Sequence, residues 1–183
     1  LTIIANGVEG LIKNNGKIQL ITSPKLSATD VEEISIGYEV REVLEKALLR
    51  EINTPQTKHE YEKLSYIARL IAKGILDIRI AFLTNNNNIA MYHEKMGIVI
   101  DSSGNAIAFS GSMNESENAF YSNYESFDVF CSWTNDKERV LHKQLTFNAI
   151  WGDYELGIET IPFPEAVKEK LYEYKSNLFK KED

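Results

Sequence analysis

The sequence predicts an α/β domain. Apolar residues recur at helical spacing in some segments and at strand spacing in others, the two kinds alternate along the chain, and glycine, proline and asparagine mark the joints. The 183 residues, 43% of them hydrophobic, suffice for one sizeable core, so residues 1–183 are expected to form a single domain.

From the N-terminus, "VEGLIKNNG" reads as a short helix closed by Gly16, and "KIQLIT" as a strand ending at Ser23-Pro24. Thr29 and Glu32 have capping-box spacing and are expected to open a helix that Gly37 interrupts. Val40, Leu44 and Leu48 mark one face of a second helix. Tyr61, Leu64, Ala68 and Ile71 mark a third, stopped by Gly74. "LDIRIAFL" (76–83) alternates as a strand does, and "NNNN" (85–88) has the composition of an exposed loop. Two apolar strands follow, "MYHEKMGIVI" and "AIAFSGSMN", joined by the turn "DSSGN" (101–105). A further strand is expected in "YESFDVFCSW" (124–133). Asn135 or Asp136 then caps a helix carrying Val140, Leu141, Leu145 and Ile150. Pro164 opens a last helix with Val167, Leu171 and Tyr174 on one stripe.

Composition excludes some functions. The longest apolar runs are too short to span a bilayer, and no leader with a cleavage site is visible. The single Cys131 excludes an internal disulfide and fits a reducing, cytoplasmic setting. Because the chain starts at Leu1 and stops in "LFKKED" just after a helical pattern, it is expected to be a piece of a longer protein. Net charge is −7, with no sign of a nucleic-acid binder in the total, although segments 1–26 and 57–95 are each locally basic.

Two polar clusters interrupt the apolar strands. His93 and Lys95 are two residues apart and on a strand project to one side; Ser112 and Asn114 do the same if their strand extends that far. The turn between the strands makes them antiparallel neighbours and brings both pairs to one end of the sheet. An imidazole, an ammonium, a hydroxyl and an amide then make a nucleophile or base with a donor shell for a phosphate oxyanion. The plainer reading of each cluster alone is a packed or solvated histidine, and a Ser/Asn cap on a helix beginning near Glu115.

Taken together, His93-Glu94-Lys95 followed by Gly111-Ser112-Met113-Asn114 resembles the HKD motif of the phospholipase D superfamily, H-x-K-x4-D then G-S/G-x-N. "NNGKIQLITSPKLSATDVEEI", "YHEKMGIVIDSSGNAIAFSGSMNESENAF" and "NYESFDVFCSW" are closer still to the PLD-like nuclease domains of restriction endonucleases and of the N-terminus of bacterial DEAD/DEAH-type helicases. The likeness runs from about residue 7 to about 174. In one place it departs: the motif's aspartate falls on Ile100, with Asp101 one place later and read as a turn residue.

The resemblance implies an α/β/α sandwich around a central mixed sheet and a DNA endonuclease or related phosphodiesterase working through a phosphohistidine. His93 would be the nucleophile. Lys95 and Asn114 would bind the non-bridging oxygens, Ser112 would hydrogen-bond in the same pocket, and Glu125 would orient the histidine ring. No cofactor or metal is required, and no His/Cys/carboxylate set has ligand spacing. Ser23 and Lys25 are candidates for contact with the phosphate backbone, though helix capping by a nearby serine or threonine serves them equally. His59 and His142 read as surface histidines. Since the chemistry uses two histidines and the chain has one motif, a homodimer with a shared site is implied. The expected partners are therefore a second copy, nucleic acid (DNA ahead of RNA) and a C-terminal helicase domain of the full-length chain, with no membrane. The alternative is a catalytically silent DNA-docking or dimerisation module. A lipid phosphodiesterase lacks the interfacial amphipathic helix with a basic face.

Overall fold

The structure is a computed structural model that describes residues 5–36, 39–52, 54–85, 88–111 and 126–175. Helices and strands alternate as the periodicity predicts, giving a mixed α/β chain with two small sheets. It divides into two compact units, residues 1–92 with 159–183, and residues 93–158.

The first unit is built on β2 (Leu76–Asn85). Strand β1 (Ile18–Thr22) runs parallel to it, from Ile18 opposite Leu76 to Thr22 opposite Ile80, while β3 (Asn88–Met91) folds back antiparallel on its far half. The "NNNN" stretch is thus partly strand, since Asn85 pairs with Asn88. A further strand, β7 (Ile158–Pro162), also joins β2. Alternation on β2 buries Leu76, Ile78, Ile80 and Phe82 on one face. Helices α3 (Val40–Glu51), α4 (Lys58–Ala72) and α6 (Glu165–Tyr172) supply Leu44, Leu48, Ala68, Leu70, Val167 and Leu171 to the same core, with Ile161 and Phe163 beside them. Helix α1 (Ala5–Lys13) precedes β1, and Gly74, at φ 65°, ends α4 as expected.

Helix α2 (Ala28–Ser35) corrects one expectation. Its capping box is Ser27–Asp30, not Thr29–Glu32: Ser27 is extended and the helix begins at Ala28, which leaves Thr29 inside the first turn. Gly37 lies outside the described residues. Buried Asp30 takes the Ser27 N–H at 2.7 Å and a two-pronged contact from the Arg50 guanidinium, with Nη1 at 2.9 Å from Oδ1, which ties α2 to α3. The guanidinium holds the Asp30 carboxyl well below the usual carboxylate range, against the opposing effect of burial.

The second unit is smaller. Strands β4 (Met96–Ile100), β5 (Ala106–Gly111) and β6 (Phe127–Cys131) form an antiparallel meander under α5 (Lys137–Trp151). Ala106, Ala108 and Val140 are its buried centre, with Ile98 and Phe130 packed against them. Where the resemblance implies one central sheet, the described residues carry a four-stranded mixed sheet in the first unit and a three-stranded antiparallel one in the second.

The apolar stripe expected on α5 is only half right. Val140 and Ile150 are buried, but Leu141 and Leu145 are 52% and 59% exposed. Neighbouring residues differ by about 100° around a helix, so Leu141 and Leu145, one turn apart, share a face that Val140 does not. Asp136 stands at the N-cap, yet its side chain makes no capping bond.

Candidate active site

The segment expected to be one strand through residues 91–100 is two, β3 and β4, with residues 92–95 irregular between them. His93 and Lys95 therefore do not meet by strand alternation. They meet because the bend folds the lysine back: Lys95 Nζ touches His93 Nε2 and lies 3.3 Å from the His93 carbonyl oxygen. His93 is exposed and Lys95 half-buried.

The β4–β5 hairpin brings the second half of the motif alongside the first. Met96 pairs with Ser110, and one step outward Gly111 donates its backbone N–H to the Lys95 carbonyl at 3.1 Å. Gly97 lies opposite Phe109, whose ring covers it so closely that a Cβ there would fall 2.0 Å from the ring. The aromatic ring packs against bare backbone, holding the hairpin's register beside Lys95. Ser112, Asn114 and Glu125 lie outside the described residues, as does the helix expected from Glu115. Gly111, the residue before Ser112, is the last one placed on that side.

Asp101 is a turn residue, as expected. Its Oδ1 accepts from the backbone N–H groups of Ser103 (2.9 Å) and Asn105 (2.8 Å), and its Oδ2 from the Asn105 amide (2.8 Å). These bonds, led by the Asn105 side chain, draw its carboxyl below the ordinary value. A carboxylate so engaged is spent on the turn 101–105.

Ser23 and Lys25 follow β1 in the first unit. The Ser23 hydroxyl accepts the Tyr92 backbone N–H at 3.3 Å, which anchors the chain one residue before His93. Lys25 is exposed and its backbone N–H donates to Glu51 Oε1 at 2.7 Å. Neither residue caps α2, a task that falls to Ser27.

Sequence reasoning missed two features of the second unit. Glu94, between the two motif residues, is paired with Lys143 of α5 at 3.5 Å. A shallow cleft of about 350 Å³ is lined by Ser110, Phe130, Glu138, Arg139, His142 and Lys143. The available signal was the spacing of Arg139, His142 and Lys143, which places all three on one face of α5.

The family described as "Cardiolipin synthase, PLD-like domain" matches residues 3–151, which takes in His93, Lys95 and the Gly111-Ser112-Met113-Asn114 segment. The chain belongs to the phospholipase D-like superfamily. Searches of curated proteins and of solved structures returned no match. Members of this superfamily characteristically act on phosphodiester bonds. Among the described residues no helix is long and apolar enough to cross a membrane.

Proposed function

We propose that this PLD-like domain is a metal-independent phosphodiesterase that cleaves DNA, in a restriction or helicase-type DNA-processing protein of the cytoplasm. The observation that carries the reading is the His93–Lys95 contact beside Gly111, which sets an imidazole against a lysine amine at the end of a hairpin. His93 Nε2 attacks phosphorus, and the bond to the leaving oxygen breaks as a second histidine gives that oxygen a proton. Water then displaces the phosphoryl group from His93, losing its own proton to the same second histidine. Lys95 turns from the imidazole to the phosphate oxygens and supplies the charge stabilisation that a metal gives elsewhere. Asn114 and Ser112 add hydrogen bonds to those oxygens, and Glu125 accepts a hydrogen from His93 Nδ1 and orients the ring. Ser23 and Lys25 contact the DNA backbone.

The second histidine comes from another copy of the chain, in a homodimer that shares one site. Leu141 and Leu145, exposed on one face of α5, support an apolar contact surface of this kind. The finer architecture, a central mixed sheet between two helical layers, belongs to the same reading.

The alternative, a silent DNA-docking module, is favoured by one observation: Ile100 stands where the motif has aspartate. Plasmid cleavage in excess EDTA separates the two, because a docking module binds the plasmid without cutting it. The enzyme reading expects cleavage to persist; cleavage lost on chelation and restored by magnesium would assign the chemistry to another site.

A further inference from the structure

The cleft on the second unit has a use that the His93 chemistry does not supply. Its floor is β5 and β6 and its wall is α5. Ser110 lies directly before Gly111, whose N–H is bonded to Lys95, and opposite Met96, which follows Lys95 in the chain. The Lys143 ammonium at its rim reaches back to Glu94, between His93 and Lys95. The cleft thus opens beside the motif within one compact unit.

Its lining has the chemistry of an anion subsite. Arg139 sets its guanidinium carbon over the Phe130 ring, 5.2 Å from the centroid, a cation–π contact on the cleft wall. Asp136 sits 3.9 Å from the Arg139 Nε, too far for a hydrogen bond. His142 and Lys143 stand one turn further along the same face, and Ser110 adds a hydroxyl. Among the described residues, Glu138 is the one acidic residue of the lining, against Arg139 and Lys143. A volume of about 350 Å³ is at the small end of ligand clefts, the size of a single nucleotide unit.

We propose that this cleft is the subsite for the phosphate next to the scissile one on a nucleic-acid strand, with Arg139 as its principal cation and Lys143, His142 and Ser110 completing it. The proposal rests on the nucleic-acid reading above and extends it: the domain recognises a run of phosphates, not an isolated diester.

The test is binding of a short fluorescein-labelled DNA duplex to the full-length protein, followed by anisotropy over a series of salt concentrations, with cleavage of the same duplex measured alongside. Arg139→Gln should weaken binding about tenfold and make the salt dependence shallower by about 0.9 in the log–log slope, the signature of one lost phosphate contact. Arg139→Lys should restore the slope, because it keeps the charge. If the wild-type protein binds and cleaves while Arg139→Gln keeps affinity and slope, the subsite is wrong and the nuclease reading stands. A salt slope that Arg139→Lys leaves as shallow as in Arg139→Gln would show a packing role for Arg139 and also overturn the subsite. Binding without cleavage, with the Arg139→Gln effect present, upholds the subsite and transfers the domain to the docking reading. A wild-type protein that neither binds nor cleaves the duplex overturns both.

Discussion

The two units differ in how they use their residues. In the first, twelve buried apolar side chains from β2, β7, three helices and the following loop make a continuous core. In the second, among the described residues, the core cluster is three buried side chains, two of them alanines, between a meander and one helix. The motif residues placed by the structure, His93 and Lys95, lie at the start of the thin unit and bury little. One region carries apolar burial; the other carries the His93–Lys95 pair beside a hairpin. Substitutions in the first should therefore report on stability, and substitutions at the motif on turnover.

The largest expected effect is on rate. His93→Ala should lower cleavage on the order of 10³-fold or more, as loss of a nucleophile does, with thermal unfolding nearly unchanged. Lys95→Ala should lower both turnover and DNA affinity, because it removes a cation from the phosphate. A His93→Ala protein that melts well below wild type would erase the distinction between the two regions.

Next comes the core itself. Phe82→Ala should cost about 3–5 kcal/mol by denaturant titration, since Phe82 is buried in the first unit among Leu, Ile and Val neighbours. Val140→Ala, which loses only two methyl groups from the sparse second core, should cost about 1–2 kcal/mol. Equal losses would contradict the contrast drawn from burial.

Acid sharpens the comparison further. The Asp30 carboxyl titrates lower in the folded chain than in the unfolded one, so its contribution is fully present above the unfolded carboxylate value of about 3.9 and is lost as pH falls below it. Asp30→Asn should therefore flatten the acid limb of a stability–pH curve and leave the limb above neutrality unchanged. The smallest effect is expected at Ser65, whose Oγ is buried in α4 with no hydrogen-bond partner among the described residues. Ser65→Ala should raise stability by about 1 kcal/mol or less, since alanine removes an unsatisfied hydroxyl and favours the helix.

How much the sequence disclosed depended on how local the cause was. The alternation of β2, the stop at Gly74 and the Asp101 turn each rest on adjacent residues, and each was legible. Leu141 and Leu145 were placed on the core stripe because leucines at i, i+4 read as buried; only packing shows which face of α5 meets the sheet. Strand β7 escaped because Gly157 and Pro162 bracket it as breakers, although proline is tolerated at a strand end. His93 and Lys95 were correctly paired for the wrong local reason, as the chain bends at 92–95 where a strand was expected. The cleft depends on three elements brought together by tertiary folding, and no single segment announces it.

The central claim, that His93 is the nucleophile, is tested most directly by trapping. Full-length protein should be mixed with DNA labelled at the scissile phosphate, quenched in acid or denaturant during turnover, and the adduct located by peptide mapping. The expected result is an acid-labile, alkali-stable phosphoryl group on His93, absent from His93→Ala. Cleavage by His93→Ala at the wild-type rate, with no adduct on His93 in the wild-type protein, would contradict it.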